Sequence, residues 1–172
     1  MKRMVLKGRK SRGKIARGEA LVSKKLLNFL GAVEIKTGTV IEEGHDLEGK
    51  GLKDKKLIIP STKGSTAQIY SLYELKKVNQ CPKAILCKDA RGGILTSGTA
   101  LAEIPLMDKI PNLDIIETGD LVTVNPEKGE VIVQKKQYMR SKPLLFFLFL
   151  NPCFLNFAKL SNLIPILNCL LL

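Results

Sequence analysis

A chain of 172 residues can bury one ordinary hydrophobic core and is too short for two comfortable ones. Its formal charge of +12 suits an anionic partner. The charge is concentrated, however: Lys or Arg fills ten of the first 25 positions against Glu19 alone, so the basicity is mainly an N-terminal property. The four cysteines, Cys81, Cys87, Cys153 and Cys169, form no CxxC pair, and no secretory apolar segment opens the sequence; both point to a reducing, cytoplasmic setting. A single histidine, His45, rules out a His-rich metal site and leaves a Ser-His-Asp triad without a recognisable nucleophile elbow.

In chain order, Ala16, Gly18, Ala20 and Val22 alternate with Ile15, Arg17, Glu19 and Leu21, a period of two that predicts a strand with outward cations. A helix is predicted near Ser23 to Leu30. Short runs at 39–41, 56–59 and 83–87 lie between Gly-, Asp- or Pro-containing turns and read as strands. A better-marked helix starts at Ser65 or Thr66 as N-cap. Its expected buried stripe is Ile69, Leu72, Tyr73, Leu75 and Val78, with Lys76 and Lys77 opposing the dipole in the last turn. Pro105 to Pro111 is expected to be a loop, since each proline removes a ladder donor. Residues 121–124 and 130–133 flank Asn125-Pro126-Glu127-Lys128-Gly129 and make the clearest hairpin. The body is thus β-rich α+β, with few helices.

The pattern ends near residue 136, and residues 137–172 form a tail of different composition. From Pro143 one charge, Lys159, stands among apolar residues and two further prolines. The longest unbroken apolar run, Leu144 to Leu150, is well short of the roughly 20 residues of a membrane helix. Three readings stay open for it: an appended segment such as read-through sequence, membrane contact, or a partner-binding helix.

The stretch most suggestive of chemistry is PSTKGSTAQIY, residues 60–70, where a Ser/Thr/Gly/Lys turn joins an apolar run to a helix. First-turn N–H groups lack intrahelical partners, Gly64 permits close backbone approach and Lys63 adds a full charge, so an anion can sit there. The spacing is not that of a P-loop, G-x-x-x-x-G-K-[ST]. Local sequence alone leaves Ser65 open between a helix cap and a reactive group.

In combination, GEALVS, TG, HDL-G, PS-KGS, IP and ETGD, in this order between about Gly8 and Val133, resemble the small-subunit swivel half of the aconitase X family. The resemblance implies a swivelling β/β/α domain, a barrel-like sheet with few helices, docked on an aconitase-like large subunit as a heterodimer. It implies a hydro-lyase of the kind that dehydrates (R)-5-phosphomevalonate to trans-anhydromevalonate 5-phosphate in the mevalonate pathway. The four-iron four-sulfur cluster is then carried by the large subunit, and Ser65 is the proton acceptor with Ser61 as runner-up. Lys63, Gly64, Ser61 and Thr66 are the expected substrate-binding residues, and no metal ligand is assigned to this chain. A hydroxyproline dehydratase of the same family is the near alternative. A basic nucleic-acid-binding β-domain is the distant one, disfavoured because the N-terminal stretch lacks interleaved aromatics for base stacking. Thr62, Ala32 and Glu34-Ile35 depart from the family pattern, which has glycine at the first two positions and Asp-Pro at the third. His45 and Asp46 match its His-Asp-Leu turn, with a structural role expected.

Overall fold

A computed structural model describes residues 3–90 and 93–136. Seven strands form one sheet in the order β1-β9-β8-β2-β5-β6-β7, and β3 (Val33–Glu34) pairs with β4 (Thr39–Val40) as a separate small hairpin. β2 (Ala16–Val22) is the seam of the large sheet. On one side it runs antiparallel to β8 (Leu121–Asn125), which continues through β9 (Glu130–Gln134) to β1 (Arg3–Lys7), all antiparallel. On the other side it runs parallel to β5 (Lys56–Ile59), followed by β6 (Ala84–Cys87) and β7 (Leu106–Met107). Parallel neighbours need crossovers: α2 (Gln68–Lys77) links β5 to β6, α3 (Ile94–Leu101) links β6 to β7, and residues 23–55 link β2 to β5. α1 (Phe29–Ala32) and a 3-10 turn at Leu113–Ile115 complete the elements.

Both faces of the parallel strands are covered, so every residue of β5 and β6 is buried. Leu57, Ile59, Ile85 and Cys87 face the helices, packing with Leu72, Leu75 and Leu95. Ile58 and Leu86, one position out of phase, face Val122, Val124, Val131 and Val133 of the antiparallel hairpin. The two helices approach closely over Gly98, where a Cβ would stand 2.8 Å from Leu72 Cδ1 and 3.3 Å from Ile69 Cα.

The sheet curls until its ends meet. Beyond β1, the Arg9 N–H donates to the carbonyl of Asp108 at 2.9 Å and the Ser11 hydroxyl to that of Leu106, both at the β7 edge. Gly8 is required at the closure, because a Cβ there would lie 2.6 Å from Ile110 Cγ1 and 2.9 Å from the Asp108 carbonyl oxygen. This is the barrel-like sheet that the family resemblance implies.

The strand at 16–22 and the hairpin at 121–134 form as the period-two pattern predicts, with Arg17 and Glu19 outward. Other expectations need correction. The helix predicted at 23–30 is absent: Ser23 N–H continues the β2 contact to Ile58 O at 2.8 Å, Leu27 bridges to Thr62, and only Phe29–Ala32 turns, with Leu30 and Gly31 outside helical geometry. The Pro105 to Pro111 loop contains β7, because a two-residue edge strand needs few donors. α2 starts at Gln68 with Ala67 as N-cap, so neither Ser65 nor Thr66 is the cap residue. Its buried face is Gln68, Ser71, Leu72 and Leu75; Tyr73 and Val78 are largely exposed, since two polar residues inside rotate the helix away from the apolar stripe. Residues 137–172, including the tail, lie outside the described residues.

Candidate functional site

In a sheet with parallel strands, ligand sites gather beyond the carboxyl ends of those strands. Here β5 ends at Ile59 and delivers Pro60 to Ser65 to that edge. Thr62 forms a parallel bridge with Leu27, and the Lys63 N–H donates to the Leu27 carbonyl at 3.3 Å, so the loop starts as a frayed extension of the sheet. It then turns sharply. Gly64 has φ +103, and a Cβ there would lie 2.9 Å from the carboxamide of Asn28. Glycine is needed at this position for both reasons.

Past the turn, Ser65 is exposed and its Oγ accepts the Ala67 N–H at 3.2 Å. The Gln68 N–H bonds back to the Ser65 carbonyl at 3.2 Å, and the Ile69 N–H to that of Thr66 at 3.1 Å. The N–H groups of Gly64, Ser65 and Thr66 donate to no acceptor among the described residues. The turn therefore offers an outward hydroxyl, a run of free donors and the N-terminal end of a ten-residue helix dipole.

Beside it is a concavity of about 280 Å³ lined by Asn28, Leu30, Gly31, Ala32, Glu42 and Lys63. Lys63 Nζ pairs with Glu42 Oε1, while Glu42 Oε2 is buried without a partner. The cation expected to bind an anion is thus already matched by a carboxylate, and an incoming anionic group has to compete with Glu42. Asn28 Oδ1 accepts the Leu30 N–H at 3.0 Å and fixes the start of α1, which brings Gly31 and Ala32 to the wall.

Of the residues singled out from sequence, Lys63, Gly64, Ser65 and Thr66 lie together on the exposed turn. Ser61 stands apart: it is 9% exposed, and its hydroxyl donates to the Asp89 carbonyl at 2.8 Å, tying the ends of β5 and β6 together. His45 lies buried in the 42–46 loop, its Nδ1 accepting the Leu47 N–H at 3.1 Å. Asp46 anchors that loop by accepting from the Ser23 hydroxyl at 2.6 Å and the Lys24 N–H at 2.8 Å. Burial pushes its carboxyl up, but these two donors and the nearby His45 and Lys25 prevail and hold it below the ordinary value. Asn28, Glu42 and Gln68 were not foreseen: Asn28 and Glu42 reach the site from distant segments that no motif marks, and Gln68, inside the 60–70 stretch, is polar where helical spacing gives no reason to bury it.

The cysteines described do not suit a metal cluster. Burial, reinforced by Asp108 and Asp89, pushes the Cys87 thiol up to about 12, so it is not a ready thiolate; burial raises Cys81 as well. Among the described residues no group of three or more His, Cys, Asp or Glu is placed to hold a metal, and no helix is long and apolar enough to cross a membrane.

Residues 5–133 match the family model described as the aconitase X swivel domain. A phosphomevalonate dehydratase small subunit of Thermococcus sibiricus is 44% identical over 132 residues, covering 77% of this chain and 100% of that one. The protein of that name from Methanosarcina acetivorans is 41% identical over 128 residues, covering 73% and 88%. A crystal structure of Thermococcus kodakaraensis aconitase X in its holo-form superimposes with a TM-score of 0.73 at 39% identity, over 77% of this chain and 99% of that one. With the family match spanning the sheet from β1 to β9 and the fold superimposing at this level, the chain belongs to the aconitase X swivel-domain family.

Proposed function

We propose that this chain is the small subunit of a phosphomevalonate dehydratase, a hydro-lyase working in isoprenoid synthesis in the cytoplasm. The observation that carries the reading is its likeness, over their full or nearly full length, to small subunits bearing that name. In the reaction a proton leaves C2 of (R)-5-phosphomevalonate, the hydroxyl leaves C3 as water, and a C2–C3 double bond forms. Ser65 takes the proton. Its neutral hydroxyl is a poor base, and two features on this chain favour the anion, the Ala67 N–H on Oγ and the helix start; the Lys63 charge joins them where it is drawn away from Glu42. Lys63, Gly64 and Thr66 bind the anionic substrate, aided by the free N–H groups of the turn.

Departure of the C3 hydroxyl belongs to a large subunit carrying the four-iron four-sulfur cluster, for which this chain's described cysteines are unsuited. That subunit docks over the site as the second half of a heterodimer. Leu30, 43% exposed at the wall of the concavity, provides apolar contact, and Leu26 and Ile41 are exposed in the neighbouring chain segments.

The test is reconstitution. The purified chain alone should release no water from phosphomevalonate, and activity should appear with an iron-sulfur large subunit of the aconitase X type. Turnover by the small chain alone rejects the divided site, while a complex active on a hydroxyproline and silent on phosphomevalonate rejects the substrate.

A further inference from the structure

α2 opens with a side chain that its surroundings do not call for. Gln68 is 1% exposed, whereas a carboxamide usually stays at the surface. Its Nε2 donates to the Ser65 carbonyl at 3.1 Å and to the Lys63 carbonyl at 3.3 Å, but its Oε1 is buried with no partner. A methionine would fill the space without stranding an oxygen. What the carboxamide adds is the pair of donations, made to the two carbonyls on either side of Gly64.

Holding those carbonyls fixes the rest of the turn. Peptide planes are rigid, so a carbonyl drawn toward Gln68 sends the N–H of the following residue the opposite way. The N–H groups that follow Lys63 and Ser65 are those of Gly64 and Thr66, both without acceptors. One residue further, the Ala67 N–H meets Ser65 Oγ.

We propose that Gln68 is a positioning residue for the Ser65 base: it clamps the Lys63 to Ser65 turn in the form that aims main-chain donors at the serine oxygen and at the anion beside it. The proposal rests on reading Ser65 as proton acceptor. A group that acts when deprotonated loses rate at neutral pH if its anion loses donors, and regains it as pH rises. A tenfold loss corresponds to one pH unit.

The experiment uses the reconstituted two-subunit enzyme with Gln68→Met, a replacement of similar volume. Turnover at neutral pH should fall about tenfold or more, and the rising limb of the kcat profile should move about one unit to higher pH. A uniform loss at every pH with a lowered thermal midpoint means that Gln68 serves only the fold, and it overturns the proposal. So does a variant with unshifted pH profile and turnover within about threefold of wild type, a margin well inside the expected loss. Should Gln68→Met fail to assemble, the smaller Gln68→Leu carries the same test, since its side chain has no donor for either carbonyl. Ser65→Ala separates the two layers. If that variant is inactive and Gln68→Met is normal, the base stands and the clamp falls; if Ser65→Ala turns over near the wild-type rate, both fall.

Discussion

Ser65 and Ser61 are four residues apart, and their surroundings give them opposite tests. Ser65 is exposed and accepts a single N–H, so Ser65→Ala should cost about 1 kcal/mol of stability at most, as for a lost cap. Its turnover should fall at least about a hundredfold if it is the base. Ser61 is buried and donates to Asp89 O, so Ser61→Ala should cost about 1 kcal/mol of stability and less in turnover. Thermal midpoints and steady-state rates of the two reconstituted variants decide the assignment, and a reversed order would move the base to Ser61. A second residue makes a prediction in pH. Lys56 is fully buried in β5 with no hydrogen-bond partner for its amine, which fits only because position 18 is glycine: a Cβ there would stand 2.7 Å from Nζ. Burial, with Lys83 adding and Asp54 opposing, pushes its pKa from 10.5 down to about 8. Between pH 8 and 10.5 the unfolded chain holds a proton that the folded one has released, so stability from this group rises with pH across that window and is lost below it. Lys56→Met should therefore be more thermostable than wild type at pH 7, with the gap narrowing toward pH 10. A gap independent of pH would show that the folded amine titrates normally.

Among the elements, most strands were legible: β5 and β6, buried on both faces, as short apolar runs between turns, and the half-buried strands by their alternation. β2, β8 and β9 alternate because their outer faces meet solvent, and the turn at Pro126 to Gly129 sets the register. α2 was legible in existence and not in orientation: Gln68 faces inward for a reason found in the 63–65 turn and not in the helix itself, and Ser71 is buried beside it. β7 hid between two prolines, and α3 hid in ILTSGTAL, where threonine and glycine carry poor helix propensity and Gly98 serves the contact with α2. The site divided in the same way. The Lys63 to Thr66 turn is contiguous and could be read; Asn28 and Glu42 arrive from other segments and could not. Closure of the barrel yields a prediction at this scale. Gly8→Ala pushes a methyl against Ile110 and the Asp108 carbonyl, backbone that Arg9 already holds, and should cost about 1–3 kcal/mol. Denaturant unfolding of this variant should show a lowered midpoint, and an unchanged one would mean that the closure is loose.

For the molecule as a whole, the interactions at Lys135 and Lys136 show where it can be shortened. The Lys136 N–H donates to Asp120 Oδ1 at 3.0 Å, and Lys135 Nζ bonds the same carboxylate's Oδ2 at 3.0 Å. A chain ending after Lys136 keeps both, and we expect it to bind the large subunit and to be at least as soluble as the full chain, the removed segment being strongly apolar. Failure to assemble would make residues 137–172 part of the working domain. The pairing of β1 with β9 joins Arg3 to Gln134, nearly the whole length of the sheet. Such a contact is slow to form, and during synthesis β1 must wait as an open edge until the last strand emerges. Lys and Arg on a waiting edge discourage it from pairing with another chain. Refolding of Arg3→Thr/Lys7→Thr should thus yield more aggregate, and equal yields would remove this account. The cations of the first strand, Arg3 and Lys7, then guard a nascent chain against its neighbours, so these two of the ten N-terminal cations have an explanation that needs no anionic ligand.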